Sequence, residues 1–207
     1  MEIDNSVKMQ LQHLFPVPVG MFDIGRDMTE QEIDFVYSLE KRKNTSNETS
    51  VDSYVFNNSA LADIYKFAKQ SLDAYFELLY APKDCVSLRI TQSWVNYTNN
   101  SQRHHQHSHD NSFISGVFYI QSKEESDRIV FKSPTRRELK IPTRAVGDYN
   151  SESWWLPAVQ GRLILFPSNL VHEVPYFEGE HTRVSLSFNT YPIGILGDEL
   201  GLTELKI

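Results

Sequence analysis

At Val86 the apolar pattern of this chain changes period, and few folds accommodate both halves of it. Upstream, apolar residues recur three and four apart. Ile33, Val36 and Leu39 do so within TEQEIDFVYSLEKRK (29–43), and Leu61, Ile64, Ala68, Leu72, Tyr75 and Leu79 do so from about Ser59 to Tyr80. That spacing predicts two amphipathic helices, and Thr29 with Glu32 has the capping-box spacing that starts the first. An Asn/Ser-rich loop, roughly 44–59, joins them. Downstream the pattern turns to period two and short apolar runs, which predicts strands at 86–98, 113–121, 128–132, 161–167, 171–175 and 182–191. LFPVPVGMFDI (14–24) reads as an edge strand broken by prolines, and 133–160 reads as an insertion over one rim. Helices followed by mostly antiparallel strands make an α+β chain, with the helices on one face of a β-sandwich or barrel.

The length of 207 residues suits a single domain, 1–207, with helical support over about 29–80 and a β core over about 86–191. The 12 Phe, 10 Tyr and 3 Trp suit an aromatic, sheet-rich core. A net charge of −7 argues against broad nucleic-acid binding. The single cysteine, Cys85, excludes an intrachain disulfide and is expected to pack as a small apolar residue. The N-terminal MEIDNSVKMQLQ has no apolar run of the secretory kind, and no stretch is long and apolar enough for a spanning helix. A cytoplasmic location and no membrane partner are the expectation.

The chemistry concentrates in HHQHSHDNSFISG (104–116). Residues two apart on a strand point to one side, so His107 pairs with His109, and equally His105 with His107. A further ligand must come from elsewhere, and His172 in GRLILFPSNLVHEV (161–174) is the candidate. Two ligands close together and one on a distant strand are how a barrel mouth holds a metal on one face, with positions left open for chemistry. Imidazole alone does not choose among Fe, Zn, Cu and Ni. Beyond His172, Arg183 and Ser185 share a face of the strand TRVSLSFNTY. An inward arginine is costly unless paired, and its planar fork suits a carboxylate. Metal and arginine together suggest a dicarboxylate cosubstrate, chelated at one end and salt-bridged at the other.

HSHDNSFISGVFYI (107–120), GRLILFPSNLVHEV (161–174) and RVSLSFN (183–189), in that order, resemble the core motifs of a bacterial and phage branch of the non-haem Fe(II)- and 2-oxoglutarate-dependent oxygenases. The N-terminal LFPVPV matches the usual start of that branch. The resemblance implies a double-stranded β-helix, or jelly roll, with supporting helices. It implies Fe(II) held by His107, His109 and His172, O2 as oxidant, and 2-oxoglutarate held at its far carboxylate by Arg183. Tyr119 matches a tyrosine that binds that carboxylate in prolyl-hydroxylase-like relatives. Ser185 would assist, and Asn96 stands where some relatives contact 2-oxoglutarate. The implied activity is a dioxygenase that hydroxylates a substrate and releases succinate and CO2. The usual ligand set is two histidines and a carboxylate. Here His109 takes the carboxylate's place, with Asp110 as the alternative ligand through a local bulge.

Substrate choice would fall to the loops. Arg136, Arg137, Lys140, Arg144, Trp154 and Trp155 make the 133–160 insertion basic and aromatic, a combination that grips acidic peptides or nucleic acid. A peptide, a nucleobase or a small metabolite all fit the sequence. Two rival readings share the barrel. Gly161, Pro167 and His172 resemble the second motif of cupin-type metal proteins, but the acid of the first cupin motif is missing, since Phe113 stands in its place. The other rival is a non-catalytic metal-binding or interaction protein on a degenerate jelly roll.

Overall fold

The computed structural model describes residues 8, 10–135, 139, 141–176 and 178–207. In chain order the elements are β1 (Gly20–Asp23), α1 (Glu30–Ser38), β2 (Lys41–Lys43), β3 (Glu48–Ser50), α2 (Ala62–Tyr80), β4 (Val86–Thr98), β5 (His104–His107), β6 (Ile114–Gln121), β7 (Arg128–Lys132), β8 (Ser153–Pro157), β9 (Arg162–Pro167), β10 (His172–Val174), β11 (Arg183–Leu196) and β12 (Leu205–Lys206). The larger sheet runs β1-β9-β6-β11-β4-β3-β2, with β12 beside β11, and the smaller runs β5-β10-β7-β8. This is the jelly-roll architecture in an α+β chain.

Alternation along the strands gives the larger sheet two different faces. Phe118 and Ile120 of β6, Leu163 and Leu165 of β9, and Val184, Leu186 and Phe188 of β11 pack with Val36 of α1 and Ile64, Ala68 and Leu72 of α2. The residues between them face the other way. Val117, Tyr119, Ile164 and Phe166 pack with Ile129 and Phe131 of the smaller sheet. On β11 the inward positions are Arg183, Ser185 and Ser187, polar and buried. Polar residues buried on an otherwise apolar wall cost free energy unless bonded, so this stretch of wall marks the site.

The first helix starts as its capping box requires. Thr29 Oγ1 accepts from the Glu32 N–H at 3.2 Å, and the Glu32 carboxylate accepts from the Thr29 N–H at 2.8 Å and from both Arg26 amino groups. The helix ends sooner than the expected 43. Leu39, the last apolar residue of the stripe, is already extended. Lys41–Lys43, the expected end of that helix, instead pair as a hairpin with Glu48–Ser50 in the expected loop. Glu40–Lys43 has no apolar residue to hold another helical turn, whereas Lys41 Nζ lies 4.3 Å from the centre of the Tyr97 ring. The second helix is preceded by 3-10 turns at Val55–Asn57 and Ser59–Leu61, so its α-helical part begins at Ala62. It stops at Ala81, which adopts the left-handed conformation.

Three further expectations are corrected. The 133–160 segment is not only a rim insertion, because Ser153–Pro157 pairs with β7 at the edge of the smaller sheet. Of its basic residues, Arg136, Arg137 and Lys140 lie outside the described residues. Cys85 is exposed rather than packed, because it sits in the turn that leads into β4. The Pro-rich N-terminal segment becomes a strand only at Gly20, past Pro16 and Pro18, where β1 pairs with β9 at the sheet edge. Among the described residues no helix is long and apolar enough to cross a membrane.

Candidate metal centre

His107 ends β5 directly opposite His172, which opens β10. His109 lies past the end of β5 and is drawn in by other means. Its N–H donates to the Ser168 carbonyl at 2.9 Å, and its Nδ1 lies 2.5 Å from Asn189 Oδ1 and 3.1 Å from Ser115 Oγ. The three imidazoles converge so that one nitrogen from each lies within 4.8 Å of the others.

The outer nitrogens are all engaged. His107 Nδ1 is 2.7 Å from the His105 carbonyl and His172 Nδ1 is 3.0 Å from the Leu170 carbonyl. A carbonyl only accepts, so these Nδ1 atoms carry the proton. Asn189 Oδ1 fixes the same tautomer on His109. Each Nε2 then keeps its lone pair, which is the arrangement that orients metal-binding histidines. Burial holds the rings neutral. It pushes His172 down to about 3, helped by the adjacent His107, and His107 down to about 4, against its bond to the His105 carbonyl and with His109 and His105 adding to the fall. It lowers His109 as well, against the bond to Asn189. Neutral imidazoles are ready ligands, since metal binding has to displace any proton.

Asp110, the alternative ligand, is exposed and lies outside this group of three. His105 is outside it too. His104, which sequence reasoning did not single out, stacks on His107 at 4.5 Å between ring centres.

The cavity that holds the imidazoles also takes in Arg183, Tyr119, Ser185 and Asn96. Register explains the company. Ser185 on β11 lies opposite Asn96 on β4 and Tyr119 on β6, so the three form one row across the larger sheet. Arg183 opens β11, is 4% exposed, and donates from Nη2 to Thr98 Oγ1 at 3.0 Å. Among the described residues it makes no ion pair with a carboxylate. Burial lowers its pKa, while Tyr119 and Asp127 nearby act to raise it. Burial pushes the Tyr119 phenol up, so it remains a hydrogen-bond donor. Asn96 donates to Ser187 Oγ at 3.0 Å, and its Oδ1 is buried without a partner. A cationic fork and an unmatched amide oxygen, both buried, leave room for a polar guest with a carboxylate.

Sequence reasoning missed Asn189 as the residue that orients His109. Its place at the end of RVSLSFN was in view, but only the three-dimensional neighbour gives it a role. Trp154 and Trp155 line neither this cavity nor its mouth; they stand about half exposed on the edge strand β8, with the Arg128 guanidinium 5.1 Å from the centre of the Trp155 ring.

Residues 92–189 match the family model described as "Putative 2OG-Fe(II) oxygenase". That span includes every residue of the row, the arginine and the three imidazoles. No curated protein matches the chain. Among solved structures, an oxidoreductase of the 2OG-Fe(II) oxygenase family from Burkholderia pseudomallei shares 13% identity at a TM-score of 0.59, over 83% of each chain. HygX from Streptomyces hygroscopicus, with nickel, 2-oxoglutarate and hygromycin B bound, shares 9% identity at a TM-score of 0.59, over 84% of this chain and 82% of its own. A prolyl-4-hydroxylase from Pseudomonas putida shares 12% identity at a TM-score of 0.55, over 84% of this chain and 92% of its own. At these identities the likeness concerns the fold.

Proposed function

We propose, for a chain whose residues 92–189 match the 2OG-Fe(II) oxygenase family model, that it is an Fe(II)- and 2-oxoglutarate-dependent dioxygenase that hydroxylates a C–H bond of its substrate. The observation that carries this reading is the convergence of three neutral imidazoles beside a buried arginine that makes no ion pair with a carboxylate among the described residues.

His107, His109 and His172 would hold the iron, and their donor set fits it, since imidazole is a good ligand for Fe(II) and three protein ligands leave positions open. Arg183 would neutralise the far carboxylate of 2-oxoglutarate, with the Tyr119 hydroxyl donating to the same group and Ser185 and Asn96 completing the row. Bound together, the metal and the cosubstrate would activate O2, the oxidant: one oxygen atom would go into succinate as 2-oxoglutarate loses CO2, and the other into the hydroxyl group of the substrate. The protein's part is orientation. The β5–β10 pair fixes two ligands, Asn189 turns the third, and the wall between the sheets keeps water from the arginine, where the low dielectric strengthens its hold. With His109 where a carboxylate is usual, the ligand set is neutral and the metal keeps its full double charge. A dianionic cosubstrate gains from that.

The test is anaerobic. Fe(II) followed by 2-oxoglutarate should give the visible charge-transfer band of the chelate. His172→Ala should abolish it. Arg183→Ala should raise the 2-oxoglutarate needed by two orders of magnitude or so, in line with about 2–3 kcal/mol for a charge-assisted bond. Metal binding without a band, or a band indifferent to Arg183, would overturn the reading.

A further inference from the structure

The mouth of the site is a cleft of about 570 Å³ that shares His104, His107, His109 and Trp94 with the inner cavity and continues outward to Arg42 and Lys43. We propose that this cleft binds the substrate through an anionic group, a carboxylate or a phosphate, gripped by Arg42 and Lys43 while the carbon to be oxidised lies towards the three histidines. The proposal rests on the dioxygenase reading and names the substrate class for it.

Strand register supports it. Arg42 on β2 is paired with Thr49 on β3, Thr49 with Asn96 on β4, and Asn96 with Ser185 on β11. Residues directly paired point to the same face of a sheet. Arg42 therefore stands in the row that holds the proposed cosubstrate residues, two strands further out, roughly 10 Å from Asn96 at the usual strand spacing. The β2–β3 hairpin thus extends the inner wall of the site beyond the cavity and places Arg42 on it, while Lys43, the last residue of β2, lines the rim of the same mouth.

Charge supports it too. The chain carries a net charge of −7, yet two cations and a single acid, Asp110, line this mouth. Arg42 and Lys43 are exposed and make no ion pair among the described residues; Glu48, across the hairpin from Lys43, does not bridge to it. Exposed cations without partners cost little where they stand and are free to meet a ligand. The histidine ligand set adds to this. Three neutral ligands, a doubly charged metal and a dianionic cosubstrate sum to zero, so a second anion can approach without the repulsion that a ligating carboxylate would add. The volume suits a small molecule or one side chain with its flanks. Trp94 supplies the apolar floor on the same face of β4 as Gln92 and Asn96.

The experiment uses Mn(II)-loaded protein with 2-oxoglutarate and four probes matched in shape: phenyl phosphate and benzoate, and their neutral counterparts phenol and benzamide. Paramagnetic broadening of probe protons reports binding near the metal. The anionic probes should be broadened, the neutral ones at least tenfold less. Arg42→Gln/Lys43→Gln should weaken the anionic probes at least tenfold, and Asp110→Asn should strengthen them. Broadening by phosphate alone or by carboxylate alone identifies which anion the cleft takes. Equal binding of neutral and anionic probes, or a double variant that binds anions as the wild type does, overturns the proposal. The Fe(II)–2-oxoglutarate band, recorded on the same preparation, reports separately on the dioxygenase reading. If that band fails, saturation transfer from metal-free protein to the probes still decides the cleft by the same comparisons.

Discussion

Asn189 shows how the proposed site depends on a residue outside the proposed ligand set. Its Oδ1 faces His109 Nδ1, and without it the side-chain hydrogen bond left to that nitrogen among the described residues is from Ser115, which also bonds to Ser168 and Asn189. Asn189→Ala should cost about 10–100-fold in metal affinity, the usual range for the outer partner of a ligating histidine. Asn189→Asp, which keeps the acceptor, should retain most of it. A chelator competition titration measures both, and equal affinity in the alanine variant would show that Ser115 suffices. Burial of the imidazoles has its own consequence. Unfolded histidine titrates near 6.5, whereas His107 and His172 are held near 4 and 3 in the fold by burial. Their folded values are depressed, so below about 6.5 the unfolded chain takes up the protons first. Stability from these two groups is complete above that pH and is lost as pH falls towards the folded values, by up to about 1.4 kcal/mol per pH unit for each. Metal-free protein should therefore melt lower at pH 5 than at pH 7 in calorimetry, and His172→Ala should flatten that slope. At this scale the sequence was legible as far as period two allows. The His-x-His spacing and the distant His172 stood out, but His105 with His107 and His107 with His109 fit a strand equally well. What separates them is that the strand stops at His107 and tertiary bonds to Ser168 and Asn189 bring His109 round.

The same strand that carries the site must also close the core behind it. On β11, Arg183, Ser185 and Ser187 face the cavity while Val184, Leu186 and Phe188 face the helices. Phe188 lies opposite Gly116 on β6, and a Cβ at Gly116 would come 2.3 Å from its ring. Phe188 is fully buried, so its ring has nowhere to retreat. Gly116→Ala should destabilise the protein by about 1–3 kcal/mol, the usual cost of overpacking, seen as a lower denaturation midpoint with an unchanged m-value. No change would mean that the helix layer yields easily. Long strands such as β4 and β11 were legible because they alternate over many residues. The short ones were not. Glu40–Lys43 is made of good helix formers, and nothing local opposes a helix there. The hairpin wins because its backbone groups and Lys41 find partners on β4, a tertiary gain that no local pattern records. Ser153–Pro157 was missed for a similar reason: an edge strand with exposed tryptophans shows no buried face to alternate.

Across the whole molecule the proposed ligands divide between the two sheets. His107 and His172 belong to the smaller sheet, and Arg183, Tyr119, Ser185 and Asn96 to the larger. A metal alone would tie β5 to β10 and, through His109 and Asn189, to β11. A cosubstrate bound to the metal at one end and to Arg183 at the other would join the sheets directly. Binding to the folded state alone stabilises by mass action, about 2.7 kcal/mol at a hundred times the dissociation constant, which in a chain of this size means a rise of roughly 5–10 °C in melting temperature. Melting followed under nitrogen should therefore climb in two steps, the first with Fe(II) and the second with 2-oxoglutarate. The second step should require the first, because the chelate supplies one of the two anchors. In Arg183→Ala the metal step should remain and the 2-oxoglutarate step should shrink towards zero. A 2-oxoglutarate step without metal would place the dicarboxylate elsewhere on the surface, and a metal step with no second step in the wild type would leave a metal-binding jelly roll that does not use this cosubstrate.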